Sequence, residues 1–230
     1  LAVTTKKRLM NKVAAIILAA GSGKRFGSAK QFVRLKGKNI LDWSLEKFEE
    51  HEAIDSIILV LGRGLSGDEY LAKYTKIASI ARGGEKRQDS VYSGLNCVDT
   101  QDTEIVLVHD SARPLVGKDL ISRIIDATRE KGAVIPVVPL EDTIKRVEGE
   151  KVLRTEKREQ FFRVQTPQGF SLTLLRKAFD HAMESCLEGT DEAVLVEMMG
   201  KDVFVVPGDQ RNMKITSPED FKIAEAFVED

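Results

Sequence analysis

Leu18 to Gln31, reading LAAGSGKRFGSAKQ, decides the fold, together with the apolar run Val13 to Leu18 that leads into it. The run is apolar without alternation, which predicts a strand covered on both faces, as in a parallel sheet. A loop of small residues comes next. Gly21 and Gly23 allow a tight turn and bring backbone N–H groups against a ligand with no Cβ in the way. From Gly21 to Lys38 the basic side chains are Lys24, Arg25, Lys30, Arg34, Lys36 and Lys38, and no carboxylate intervenes. Positive charge gathered directly after a buried strand suits a polyphosphate. Two other glycine motifs fail on spacing. A P-loop needs Gly-Lys-Ser/Thr, but Gly23-Lys24 is followed by Arg25. The dinucleotide fingerprint needs a third glycine where Phe26 stands.

Composition bounds the partners. The chain has 230 residues and a formal net charge of −1, so the basic loop is a local feature on a balanced protein. That balance argues against nucleic acid, which calls for a basic face over the whole domain. Cys97 and Cys186 stand far apart with no Cys-x-x-Cys pair, the pattern of a reduced, cytoplasmic protein. No apolar run approaches membrane-spanning length. Residues 1–10 read as an N-terminal extension, with Met10 as a candidate start, and 11–230 as one domain.

Beyond the loop the pattern alternates strand and helix, with strands at Ser56 to Leu61, Ile77 to Ala81, Ile105 to Val108 and Ala133 to Val138. Ile40, Leu41, Leu45 and Phe48 mark one helix face, Val91, Leu95 and Val98 a second, and Leu120, Ile121, Ile124, Ile125 and Thr128 a third. Ser66 and Glu69 have capping-box spacing for a short helix to about Lys76. This rhythm predicts an α/β fold, a Rossmann-like, mostly parallel sheet with helices on both faces. It breaks at 140–162, where Thr143 to Val147 and Val152 to Thr155 flank the turn Glu148-Gly149-Glu150-Lys151, a hairpin signature. So polar a ribbon needs something to pack on, either a partner chain or its own domain. After it, Phe161 to Gln165 should return to the sheet and Pro167-Gln168-Gly169 turn out of it. Ser171 caps a helix carrying Leu175, Ala178, Phe179 and Ala182; Asp191 to Met199, a strand at Val203 to Val206, and a helix opened by Ser217-Pro218 come after it.

Polar groups cluster where those strands end, the ligand edge of an open α/β sheet. Gly83 to Ser90, GGEKRQDS, is a glycine turn opening onto a helix N-terminus. Asp110, after an all-apolar strand, suits a metal or a sugar hydroxyl, and Arg113 could grip a phosphate with two donors. Arg158 with Thr166, and Lys214 before the last helix, complete the set.

Seven blocks in order resemble one family: LAAGSGKRFGSAKQ, GGEKRQDSV at Gly83 to Val91, VLVHDSARP at Val106 to Pro114, EDTIKR at Glu141 to Arg146, TPQGF at Thr166 to Phe170, TDEA at Thr190 to Ala193 and NMKIT at Asn212 to Thr216. They look like the 2-C-methyl-D-erythritol 4-phosphate cytidylyltransferases of the non-mevalonate isoprenoid pathway, and are similar to the related ribitol 5-phosphate cytidylyltransferases. The resemblance implies a nucleotidyltransferase-type sheet joining CTP to a polyol phosphate with Mg²⁺, in a homodimer whose hairpin arm reaches the neighbouring subunit. It implies that Ala19, Ala20, Gly21 and Gly23 line the nucleotide, with Gly84, Glu85 and Ser90 around cytosine and ribose. Arg25, Lys30 and Lys214 would be the catalytic cations, and Asp110, Arg113, Thr190 and Lys214 would lie near the polyol phosphate. Thr143 and Arg158 would reach the substrate phosphate of the partner subunit. Mg²⁺ would be held mainly by phosphates, with Asp110 the candidate protein ligand. The family's spacer between the counterparts of Arg25 and Lys30 is longer; only Phe26-Gly27-Ser28-Ala29 intervene here. A non-catalytic CTP-sensing protein is the rival reading from another class.

Overall fold

A computed structural model describes residues 11–21 and 32–228. Its centre is β1 (Lys12–Ala19), which pairs in parallel with β4 (Ser56–Leu61) on one side and β6 (Thr103–Asp110) on the other. β5 (Ile77–Arg82) extends the parallel run beyond β4. Alternate residues of β1 feed two different cores, and this explains the unbroken apolar sequence. Val13, Ala15 and Ile17 pack with Leu41, Leu45 and Phe48 of α1 (Ile40–Glu49) and Leu120, Ile121 and Ile124 of α4 (Lys118–Lys131). Ala14 and Ile16 pack with Val91 and Leu95 of α3 (Arg87–Leu95) and Leu175 and Phe179 of α5 (Leu172–Glu184). Helices therefore cover both faces of a mostly parallel sheet.

Two local expectations need correcting. Pro167-Gln168-Gly169 does not turn out of the sheet. Gln168–Ser171 forms β11, an antiparallel strand inserted between β6 and β7 (Ala133–Pro139). Gly169 is there for packing. A Cβ on it would stand 2.2 Å from Thr128 Oγ1 and 2.7 Å from Ile124 Cγ2, so α4 lies against this strand more closely than a side chain would permit. Nor does the Ser66–Glu69 capping box form. The short helix α2 (Asp68–Lys73) starts from Gly67, which lies close against Ile80; Ser66 bonds to Asp68 instead, and the helix ends before Lys76.

The far half of the sheet is built on β7. Pro136 O accepts from Gln165 N on the edge shared with β10 (Phe162–Val164) and β11, and Val137 O from Gly208 N on the edge of β12 (Phe204–Pro207). The expected hairpin is present as β8 (Lys145–Glu148) and β9 (Lys151–Thr155), paired only to each other. Arg34–Leu35 and Lys38–Asn39 make a second small ribbon, β2–β3. α6 (Glu192–Met198) carries a side-chain N-cap from Asp191. α7 (Pro218–Phe227) has the Ser217–Asp220 capping box. Among the described residues no helix is long and apolar enough to cross a membrane.

Candidate active site

The carboxyl ends of β1, β6 and β5 bring the loops together. Asp110, the last residue of β6, is 8% exposed and has both oxygens engaged. Lys214 Nζ donates to Oδ2 at 2.6 Å and Arg87 Nε to Oδ1 at 3.2 Å. Burial alone would raise this carboxyl, but Arg87, Lys214 and Arg113 outweigh it and hold Asp110 far below the usual carboxylate range. Among the described residues no carboxylate is bonded to Arg113. Its Nη1 and Nη2 donate to Asn212 O and Val164 O, and Nε is buried with no acceptor among those residues. A guanidinium aimed by two carbonyls keeps its charge available for an anion.

A chain of hydrogen bonds fixes the loop that holds this cluster. Arg113 O can only accept, so His109 Nε2 must carry the proton in their 3.2 Å contact. Nδ1 is then the acceptor of the Thr166 hydroxyl at 3.1 Å, and Thr166 Oγ1 accepts in turn from Asp110 N at 3.1 Å. Burial pushes the His109 pKa down to about 3, so the imidazole is neutral and acts as a brace. Thr166, expected as a substrate contact, has its one proton committed to His109.

The glycine turn after β5 is also self-organised. A Cβ on Gly83 would lie 2.2 Å from the Ala20 Cβ, so this glycine lets the β5 and β1 loops meet. Gly84 N donates to Ser90 Oγ, which donates to Lys86 O, while Lys86 N donates to Asp89. Ser90 thus shapes the turn, and Glu85 is exposed at its tip. Gln88 ties the turn to the segment before α6, through Leu187 O and Gly189 N, next to exposed Thr190. Ala19 ends β1, and Ala20, against this turn, and Gly21 follow it; Gly23, Arg25 and Lys30 lie outside the described residues. A cavity of about 470 Å³ between the β4 and β5 ends and residues 62–68 lies across β1, lined by none of Asp110, Arg113 and Lys214. Thr143 and Arg158 are exposed on the arm, where Arg158 donates to Glu141 O and pairs with Glu159.

Sequence reasoning missed Arg87 and Glu192. Arg87 Nη1 donates to Glu192 Oε1 at 2.6 Å, making Arg87 the bridge between two carboxylates. Both residues lie inside the motif blocks; the signal there was an arginine at the start of one helix and a glutamate at the start of another, at the same sheet edge.

Fixed cations around one ionised carboxylate, at the carboxyl ends of a mostly parallel sheet, define an α/β transferase of the nucleotidyltransferase type. A family model described as 2-C-methyl-D-erythritol 4-phosphate cytidylyltransferase matches residues 13–230, and the chain belongs to that family. Proteins so named from Alkaliphilus oremlandii and Bacillus cytotoxicus are 41% and 44% identical, over 95% and 93% of this chain and 96% of theirs. The crystal structure of the Thermus thermophilus cytidylyltransferase superposes with a TM-score of 0.80 at 36% identity, covering 94% of this chain and 98% of that one. The 4-diphosphocytidyl-2C-methyl-D-erythritol synthase of Anaerococcus prevotii gives 0.83 at 32% identity, with the same coverage.

Proposed function

We propose that the protein joins CTP to 2-C-methyl-D-erythritol 4-phosphate, releasing pyrophosphate, by in-line attack of the substrate phosphate on the α-phosphorus. The observation that carries this reading is the Lys214–Asp110–Arg87 cluster with Arg113 beside it. A phosphate monoester has a second pKa of about 6, so it reaches the site ionised and needs little help from a base. A neutral, locked His109 is consistent with that. The obstacle is repulsion between two polyanions. Cations fixed beforehand lower it and hold the charge that builds on the pentacoordinate phosphorus. Lys214 and Arg113 serve the polyol phosphate, with Thr190 beside it; Arg25 and Lys30 serve the triphosphate, and the Ala19–Gly23 and Gly84–Ser90 loops hold the nucleoside.

Mg²⁺ fits this donor set. Asp110 is a hard oxygen ligand held ionised, with lone pairs beyond the two that its cations use, and Mg²⁺ favours one or two carboxylates plus substrate phosphates. When bound it would neutralise charge on the phosphate oxygens. The arm, 140–162, serves as a dimerisation arm of a single domain, presenting Thr143 and Arg158 to the partner's substrate. Its exposed apolar residues Val147, Val152 and Leu153 support this. A reduced cytoplasm is the compartment that suits two free cysteines. Pyrophosphate release from CTP, measured with methylerythritol phosphate and ribitol 5-phosphate side by side, tests the reading. Turnover is expected with the first; turnover with ribitol phosphate alone, or with neither, would overturn it.

A further inference from the structure

Asp110 is shared by two cations, and the arrangement holds only if neither takes both oxygens. Lys214 occupies Oδ2 and Arg87 occupies Oδ1 through Nε alone. A guanidinium beside a carboxylate ordinarily prefers a two-pronged grip. Here the other end of Arg87 is pulled away by Glu192, which is 1% exposed. Glu192 is the first residue of α6, where the helix dipole favours a negative charge, and Asp191 before it caps the helix and accepts from Gln168 of β11. The glutamate is therefore anchored to the sheet, and Arg87 is stretched between a fixed carboxylate and Asp110. Acid and base alternate in the order Glu192, Arg87, Asp110, Lys214. Lys214, a third exposed, ends the row opposite buried Glu192, while Arg87 keeps 29% of its side chain exposed between the two carboxylates.

We infer that Arg87 and Glu192 are a positioning pair for the transfer reaction: Glu192 restrains Arg87 to one oxygen of Asp110, and so reserves the other oxygen to aim Lys214 at the incoming phosphate. This rests on the proposed function for what Lys214 does, but its geometry does not. Glu192→Gln keeps the shape and one acceptor but trades a charge-assisted bond for a weaker neutral one, so Arg87 can swing onto both oxygens of Asp110, and Lys214 loses its anchor. The loss should fall on the polyol phosphate and spare CTP.

The test is Glu192→Gln in the full chain, compared with wild type in three readouts. First, the KM for the polyol phosphate should rise about 10-fold, the size of effect typical when a group that orients a ligating side chain is removed, with the KM for CTP unchanged. Second, in a Lys214→Gln background the same substitution should cost nothing further, because a group acting through Lys214 has nothing left to act on. Third, acylation of Lys214 by an amine-specific reagent, read by mass spectrometry on the unliganded protein, should be faster in Glu192→Gln. A lower melting temperature with additive kinetic losses and unchanged Lys214 labelling would reduce the pair to a structural ion pair and overturn the inference. Should Glu192→Gln not fold, Arg87→Lys, which keeps the charge and loses the fork, is judged by the same readouts. If wild type itself releases no pyrophosphate, the proposed function fails, and the labelling comparison still decides on the pair.

Discussion

Asp110 is 8% exposed and both its oxygens are held by cations arriving from other elements, whereas the arm's Arg158 is exposed and, among the described residues, bonded only within its own segment. The crevice is braced by groups from β6, α3, α6 and the segment before α7; the arm's β8 and β9 pair only with each other. Val147, Val152 and Leu153 remain about half exposed there. The difference shows which parts are set before any ligand or partner arrives. In the crevice the charges have lost most of their water and are held by protein dipoles, so they act at full strength without reorganising. On the arm most charges stand in water, which screens them, and definite geometry there requires a second surface to cover the ribbon.

The comparison breaks most decisively at Lys214. Lys214→Ala should cut turnover by roughly 10²-fold or more, as loss of a preorganised group facing developing charge does, with an unchanged circular dichroism spectrum because the side chain is a third exposed. Steady-state pyrophosphate release checks it, and wild-type rates would remove this lysine from the chemistry. On the arm, replacing Val147, Val152 and Leu153 together with serine should weaken self-association in sedimentation velocity and leave the monomer's melting temperature in place. A dimer of undiminished affinity would show that the ribbon's apolar residues do not hold it.

The brace under the crevice gives a pH signature. His109 has a folded pKa near 3, below the value of about 6.5 in an unfolded chain, so the unfolded state binds the proton first. Its contribution is fully present above pH 6.5 and is lost as pH falls toward 3, by at most about 1.4 kcal/mol per pH unit. His109→Leu should flatten the loss of stability between pH 7 and 5, while costing about 1–3 kcal/mol at pH 7 for the acceptor withdrawn from Thr166. Urea melts across that range measure both. The arm supplies the opposite limit. Glu156, itself partly covered, accepts from Arg146 and Arg154, whose side chains are more than half exposed, and Glu156→Gln should change the melting temperature little at physiological salt.

Much of the scaffold is legible in the sequence itself. The inner residues of α4, Leu120, Ile121, Ile124, Ile125 and Thr128, and those of α5, Leu175, Ala178, Phe179 and Ala182, are buried as their spacing predicts, and Ser171 and Ser217 cap the helices they precede. Hydrophobic periodicity and caps are written within a few residues, so a local reading recovers them. The hairpin arm is legible for the same reason, from its turn and alternation. Asp110, Arg113 and Lys214 stand out as polar residues at strand ends, although their mutual distances do not.

The amino-acid order alone determined the strand and helix rhythm, the doubly covered sheet, and Asp110, Arg113 and Lys214 as polar groups at its strand ends. Only the folded chain decided that β11 runs antiparallel through the middle of that sheet, with Gly169 there because α4 presses on it. It also decided that Arg87 meets Glu192 across 105 positions and Lys214 meets Asp110 across 104. A charge pair or an inserted strand depends on which distant segments come within a few ångströms of each other. No local pattern encodes that distance.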